Sequence, residues 1–333
     1  MKKLIMLMMS LILAGTVSCG QTGQKPRTET AAAAAETTES ASETAEADAG
    51  SFNDYLLRTI MLTEDGGGYY TGREPKEELE RNTWEGMDIG VALTDGTPNV
   101  DMSLARPSFC SSATYMALLK ALTLWDTDAV ISPEAWVNLK PYTVEDRDWP
   151  IQSDGVGCWG RANANGPGMA VLVAQLGAGS NTYLAPRAEW DSDDAYFDAW
   201  SRIQPGDFLK IFWNEYIGGD DTAYERGHMV MYLDTEIIED ENGNKDGIVY
   251  YWSSNGSGYM PDKGYSISKA RLSEIYRAVA THIDKPEAFD NAKDMMPDDV
   301  DPWLSALDGN HLGTDEELQL AINGELDFTL QGE

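Results

Sequence analysis

Cys110, in the run Arg106-Pro107-Ser108-Phe109-Cys110-Ser111-Ser112, is the residue of this chain best suited to act as a nucleophile. Pro107 and Ser108 read as a helix entry, because proline suits the start of a first turn and a serine hydroxyl accepts from an orphan amide. Cys110 then falls in the first turn, where unpaired N–H groups and the positive end of the dipole favour thiolate over thiol. Such a nucleophile needs an imidazole within hydrogen-bond reach and a third polar group to hold that ring in one tautomer. The chain has 3 histidines. His311 lies in a turn near the tail and His282 ends an expected helix, whereas His228 opens the apolar run Gly227-His228-Met229-Val230-Met231-Tyr232-Leu233. Asn255, at the end of the next expected strand, is the first choice for the orienting group, and Ser253, on the same strand face, is the second. Each residue also has a plain structural explanation. Cys110 suits a buried apolar position, His228 a strand end where the ring meets a carbonyl, and Asn255 the opening of an Asn-Gly turn.

The elements that must carry these side chains follow from apolar spacing. Tyr115, Met116, Leu118, Leu119 and Leu122 recur at helical intervals and give the Cys110 helix a face to bury. A folded domain begins near Phe52 with an amphipathic helix, which glycines 66 to 68 interrupt. The segment from Thr83 to Val100 reads as loop or short strand with a turn at Asp95-Gly96. Ser132 and Pro133 cap and start a short helix through Leu139. The glycine- and asparagine-rich stretch from Asp154 to Gly168 reads as a loop with an exposed Trp159, suited to the rim of a substrate groove through Trp159 and Asn163, or else as a plain connection. It precedes a compact helix from Met169 to Leu176, and without a phosphate-binding lysine it does not read as a nucleotide site. Strands are expected at Phe208 to Trp213, Gly227 to Leu233 and Ile248 to Ser253. The polar run Glu239 to Gly247 between the last two reads as a hairpin turn, since Ser253 falls where a calcium loop would need a bidentate glutamate. Ile267 to His282 reads as a further helix.

Composition bounds the partners. The 333 residues carry 24 basic and 56 acidic side chains, a net charge of -32, and such a surface repels nucleic acid. Lys2, Lys3 and the apolar run Leu4 to Leu13 form a targeting segment too short to span a membrane comfortably. Thr16-Val17-Ser18-Cys19 resembles a bacterial lipoprotein processing site, in which Cys19 takes the lipid; an ordinary signal peptide is the alternative. The organisation expected is therefore a lipoprotein signal and lipidation site over 1–19, a disordered Ala/Thr/Ser/Glu-rich tether over 20–50, a hydrolase domain over 51–285 and an acidic C-terminal extension over 286–333. Of the 3 cysteines, Cys110 and Cys158 remain in the exported domain, and a disulfide between them would silence the nucleophile.

From Pro107 to Asn255 a cysteine at a helix head is followed by Pro205-Gly206-Asp207-Phe208 leading into a strand, then by the His228 strand. In these features the chain resembles the papain-like cell-wall cysteine peptidases of the NlpC/P60 kind and their CHAP amidase relatives. The likeness implies an α+β, papain-like fold, a nucleophile helix packed on a small antiparallel β-sheet with helical extensions. It implies Cys110 as nucleophile, His228 as base and Asn255 as orienting residue. The oxyanion would be held by the Cys110 amide and a second donor, with Ser108 and Arg106 as candidates. The chain departs from the family in reading Phe109-Cys110-Ser111 where Asp-Cys-Ser is usual, and in the long stretch between the cysteine helix and Pro205. The function expected is cleavage of an amide or peptide bond in peptidoglycan through a thioester, with no metal or organic cofactor. The protein would be a monomer in the bacterial cell envelope, lipid-anchored to the outer membrane and facing the periplasm. The alternatives are a catalytically silent lipoprotein that binds glycan or peptide, and an acyltransferase using the same three residues.

Overall fold

The helix that begins at Cys110 runs to Trp125 and is interior nearly all round, with Ser112 to Leu119, Ala121 and Leu122 all buried. A helix without a solvent face belongs at the centre of a fold, and the rest of the chain packs around it. The computed structural model describes residues 50–72, 77–79, 81–141, 157–163, 165–295 and 311–325. Cys19, the signal segment, the tether short of Gly50 and residues 296–310 lie outside the described residues.

In chain order the first half gives α1 (Phe52–Leu62), β1 (Gly66–Tyr70), α2 (Thr83–Gly90), β2 (Val91–Thr94), β3 (Thr97–Val100), α3 (Cys110–Trp125), α4 (Pro133–Leu139), α5 (Gly157–Asn163), α6 (Met169–Leu176), β4 (Gly179–Leu184) and α7 (Asp193–Ser201). The second half is mostly strand: β5 (Phe208–Phe212), β6 (Gly218–Gly219), β7 (Gly227–Glu239), β8 (Lys245–Asn255), β9 (Tyr259–Arg271), β10 (Arg277–Ile283) and β11 (His311–Leu312), followed by α8 (Asp315–Ile322). The architecture is mixed α+β around a large antiparallel sheet. Seven strands lie in the order β1-β9-β8-β7-β5-β10-β4, so the sheet is larger than the small one expected.

Much of the difference comes from the segment read as a helix from Ile267 to His282. It is the end of β9, a short turn at Leu272–Glu274 and then β10. In β10 nearly every side chain is buried, because the strand lies inside the sheet between β5 and β4. A strand covered on both faces loses the alternation that marks a half-exposed one, and its apolar spacing then mimics a helix. Thr83 to Val100, expected as loop or short strand, opens as α2, with Asn82 and Glu85 forming a reciprocal cap. It continues as a hairpin whose turn residues Asp95 and Gly96 both have positive φ, the backbone that a tight right-twisted hairpin requires. Asp240 closes the turn between β7 and β8, its carboxylate accepting from the Asn242 and Asn244 amides at 2.8 and 2.9 Å.

The two faces of the sheet bury different partners. Phe208, Met229, Met231, Trp252 and Tyr265 pack with α3 in the principal core. Leu209, Ile211, Val230, Tyr232 and Tyr251 point the other way, against Tyr196, Phe197 and Trp200 of α7. The acidic C-terminal stretch is built into the same unit. β11 pairs with β6, and Leu318, Ala321 and Ile322 of α8 share a buried cluster with Phe212, Ile217 and Val279.

Candidate active site

Between β7 and β8 the register reaches Met231 opposite Trp252 and stops. His228 to Val230 and Ser253 to Asn255 lie beyond it, outside that ladder, and the mouth of α3 meets the chain there. The Met229 amide donates to the Cys110 sulfur, and the Met229 carbonyl accepts from Ser253 Oγ at 2.8 Å. Backbone groups left out of a sheet need other partners; here a thiol and a serine hydroxyl supply them. Ser253, the second choice for orienting the imidazole, is thus bonded to the backbone, and Asn255 meets the ring.

The His228 side chain bonds to Cys110, and its Nε2 lies 3.0 Å from Asn255 Oδ1. Which amide atom of Asn255 faces the ring follows from its other bonds. Its Nδ2 donates to the carbonyls of Ser266 at 2.9 Å and Ser253 at 3.2 Å. Carbonyls only accept, so the oxygen is the atom turned to His228 and Nε2 carries the proton of the neutral ring. Nδ1 is then the nitrogen left to accept from the thiol. Tyr251 stands edge-on to the imidazole at 5.5 Å and Trp213 lies beside it at 6.5 Å.

Burial of the sulfur opposes its ionisation. The bonds from His228 and Met229, with the nearby charges of His228 and Lys210, outweigh that cost and bring the Cys110 thiol down to about 6. Phe109, the N-cap, makes no side-chain hydrogen bond to the first turn of α3. Cys110 is half-buried, Cys158 is fully buried, and both are free, which removes the disulfide between them. Burial pushes the Cys158 thiol up to about 12. Alkylation followed by peptide mass analysis should therefore label Cys110 well ahead of Cys158, with a rate that rises as pH passes about 6 and falls away below it. A free thiol's rate rises instead near pH ~8.5. A Cys110 midpoint at the free-thiol value would contradict the geometry.

Several other expected site residues stand elsewhere. Ser108 does not cap α3; Ser112 does, accepting from the Phe109 amide at 2.8 Å. Ser108 is fully buried in a bridge to Tyr69, and its hydroxyl donates to Ser254 Oγ at 2.8 Å, so it is not the oxyanion donor. Arg106 donates to the Glu64 carbonyl at 2.6 Å and covers the Tyr265 ring. Trp159 is not an exposed rim residue: it is 1% exposed, because Gly157–Asn163, within the stretch expected as loop, coils into α5 and turns the indole against Phe109 and Tyr115; Asp154 to Val156 and Ala164 lie outside the described residues. Asn163 ends that helix, half-buried. His282 is on β10, its Nδ1 2.7 Å from Asp207 Oδ1, and His311 is on β11 near Glu317.

One residue near the sulfur escaped the sequence reading. Tyr69 is buried on β1, and burial together with the neighbouring Cys110 sulfur raises its phenol so that it stays protonated. Only the three glycines before it hinted at a close approach of this strand. Among the described residues no group of three or more His, Cys, Asp and Glu is arranged to hold a metal. No family model, curated protein or solved structure matches the chain.

Proposed function

We propose that this chain is a papain-like cysteine hydrolase of the NlpC/P60 or CHAP kind, lipid-anchored through Cys19 in a bacterial envelope, which cleaves an amide bond in peptidoglycan. The observation that carries the reading is the contiguous set of Cys110, His228 and Asn255 at the mouth of a buried helix. A lone reactive thiol has many explanations. A thiol bonded to an imidazole, itself oriented by an amide oxygen, meets the specific needs of nucleophilic acyl transfer.

In this reading the Cys110 thiolate attacks the carbonyl carbon, and the electron pair of the C=O moves onto oxygen. The α3 amides receive that oxyanion, with the Tyr69 hydroxyl as the second donor that the sequence left unidentified. As the C–N bond breaks, the imidazolium of His228 protonates the leaving amine and a thioester remains on the sulfur. Water then attacks the thioester while His228 takes its proton, and a carboxylic acid and the thiol are released. Asn255 keeps Nδ1 aimed at the sulfur through both steps. The tether puts such a domain next to the wall, and this favours peptidoglycan over a soluble peptide as substrate.

The test is incubation of purified peptidoglycan with the full chain before and after alkylation of Cys110, with mass analysis of the soluble fragments. New amine and carboxyl termini are expected from the untreated protein alone. Identical fragments from the alkylated protein would refute the reading, and the mass of the fragments identifies the bond cut.

A further inference from the structure

A cavity of about 590 Å³ opens between the C-terminal end of α1, the end of β3 and the middle of α3, and no residue of the steps above lines it. Its volume falls in the range that small organic ligands fill, ~300–1,000 Å³. Four charged side chains stand on its wall, the cations Arg106 and Lys120 and the acids Glu64 and Asp101. The cations are held by main-chain carbonyls. Arg106 Nη2 donates to the Glu64 carbonyl at 2.6 Å and Lys120 Nζ to the Val100 carbonyl at 2.8 Å; among the described residues neither side chain forms an ion pair. A carbonyl fixes a cation without neutralising it. Arg106 is confined on two further sides, by the Tyr265 ring that its guanidinium covers at 5.2 Å and by Gly67, where a Cβ would strike the arginine stem. Asp65, next to Glu64, feels the Arg106 charge without bonding it. On the acidic side, Ser103 donates its amide and its hydroxyl to Asp101 Oδ1 at 2.9 and 2.6 Å. These bonds, with a smaller contribution from Lys120, hold the Asp101 carboxyl below its usual range, so it is ionised at neutral pH.

The wall therefore presents both signs of charge, held in place and not bonded to each other. A ligand with one charge would be repelled by half of such a wall, and a neutral one would cover the charges without compensating them. A ligand with both charges can make charge-assisted hydrogen bonds to each half. We propose that this cavity binds a zwitterion, a free amino acid or a short peptide with unblocked termini, whose carboxylate meets Arg106 and Lys120 and whose ammonium meets Glu64 and Asp101. The net charge of -32 repels anions over the whole surface, whereas a ligand of zero net charge approaches without that penalty. Lys120 lies ten residues beyond Cys110 on α3, about 15 Å along its axis. The site is thus separate from the thiol, and the inference stands whether or not Cys110 is a nucleophile.

The test is isothermal titration calorimetry on the full chain, with Cys110 first blocked by iodoacetamide so that the thiol site does not contribute. Alanine and alanyl-alanine are the zwitterionic probes, and the tighter of the two gives the length of the ligand. N-acetyl-alanyl-alanine keeps only the negative charge, and alanyl-alanine amide only the positive one. At least one zwitterion should bind, and each blocked peptide should bind about tenfold more weakly than alanyl-alanine, the scale of one charge-assisted hydrogen bond. Glu64→Gln with Asp101→Asn should abolish the preference over the N-acetyl peptide. Lys120→Gln should narrow the preference over the amide, and Lys120→Arg should keep it. Each preference compares two ligands on one protein, so a general loss of packing would not reproduce this pattern, and circular dichroism checks that the variants are folded. No heat from either zwitterion, equal binding of the blocked and unblocked peptides, or preferences indifferent to these variants would overturn the proposal.

Discussion

Cys110→Ala should lower the turnover of peptidoglycan by about 10⁴-fold or more, and His228→Ala should do nearly the same. The two side chains act as a unit. Without the imidazole the sulfur keeps its Met229 amide but loses the bonded cation that favours its ionised form, and no group remains to protonate the departing amine. Without the sulfur the imidazole has only water to activate. The Cys110→Ala, His228→Ala double variant should therefore be no slower than either single one, since what survives comes from binding and the oxyanion donors. Rates of fragment release under single-turnover conditions measure this directly. Additive losses in the double variant would mean that the residues act independently. Asn255→Ala should cost less, because the ring is also held by Tyr251 and Trp213.

Trp159→Ala should destabilise the domain by about 3–5 kcal/mol, as truncation of a buried tryptophan does. The indole is sealed in the principal core, between Phe109 at the head of α3 and Tyr115 six residues further on. A cavity there loosens the support of the nucleophile as well as the fold. Denaturant midpoints with an unchanged slope would register the loss of stability. A variant as stable as the wild type but with a raised KM would restore Trp159 to the groove, where its sequence context had suggested it belongs.

That contrast marks how far the sequence can be read. The α3 helix was legible because its apolar residues recur at one period over many turns, and β5 and the apolar portions of β7 and β8 because each is a short run; the polar ends of β7, to Glu239, and of β8, from Lys245, carry no such signal. The approach of Cys110, His228 and Asn255 was legible as an expectation, since a thiol near one strand and an amide at the end of the next suggest one chemistry. Trp159 was misread because glycines and asparagines on both sides imply a loop, whereas burial against α3 is a tertiary gain that local propensity does not contain. Ile267 to His282 was misread because burial on both faces erased the strand period. Tyr69 was invisible: it reaches the thiol through β1, which is paired to β9 almost two hundred positions later, and no local pattern announces such a neighbour.

The interruption of the β7/β8 ladder beyond Met231 has a consequence for the life of the protein before it reaches its final form. An extended chain has an ordinary, mostly protonated sulfhydryl at neutral pH, because each influence that sharpens it arrives from a remote segment. Reactivity is therefore acquired only once β7, β8 and the head of α3 have come together. Before these segments meet, the molecule carries no sharpened sulfur to attack its surroundings, and an immature copy is chemically quiet by construction.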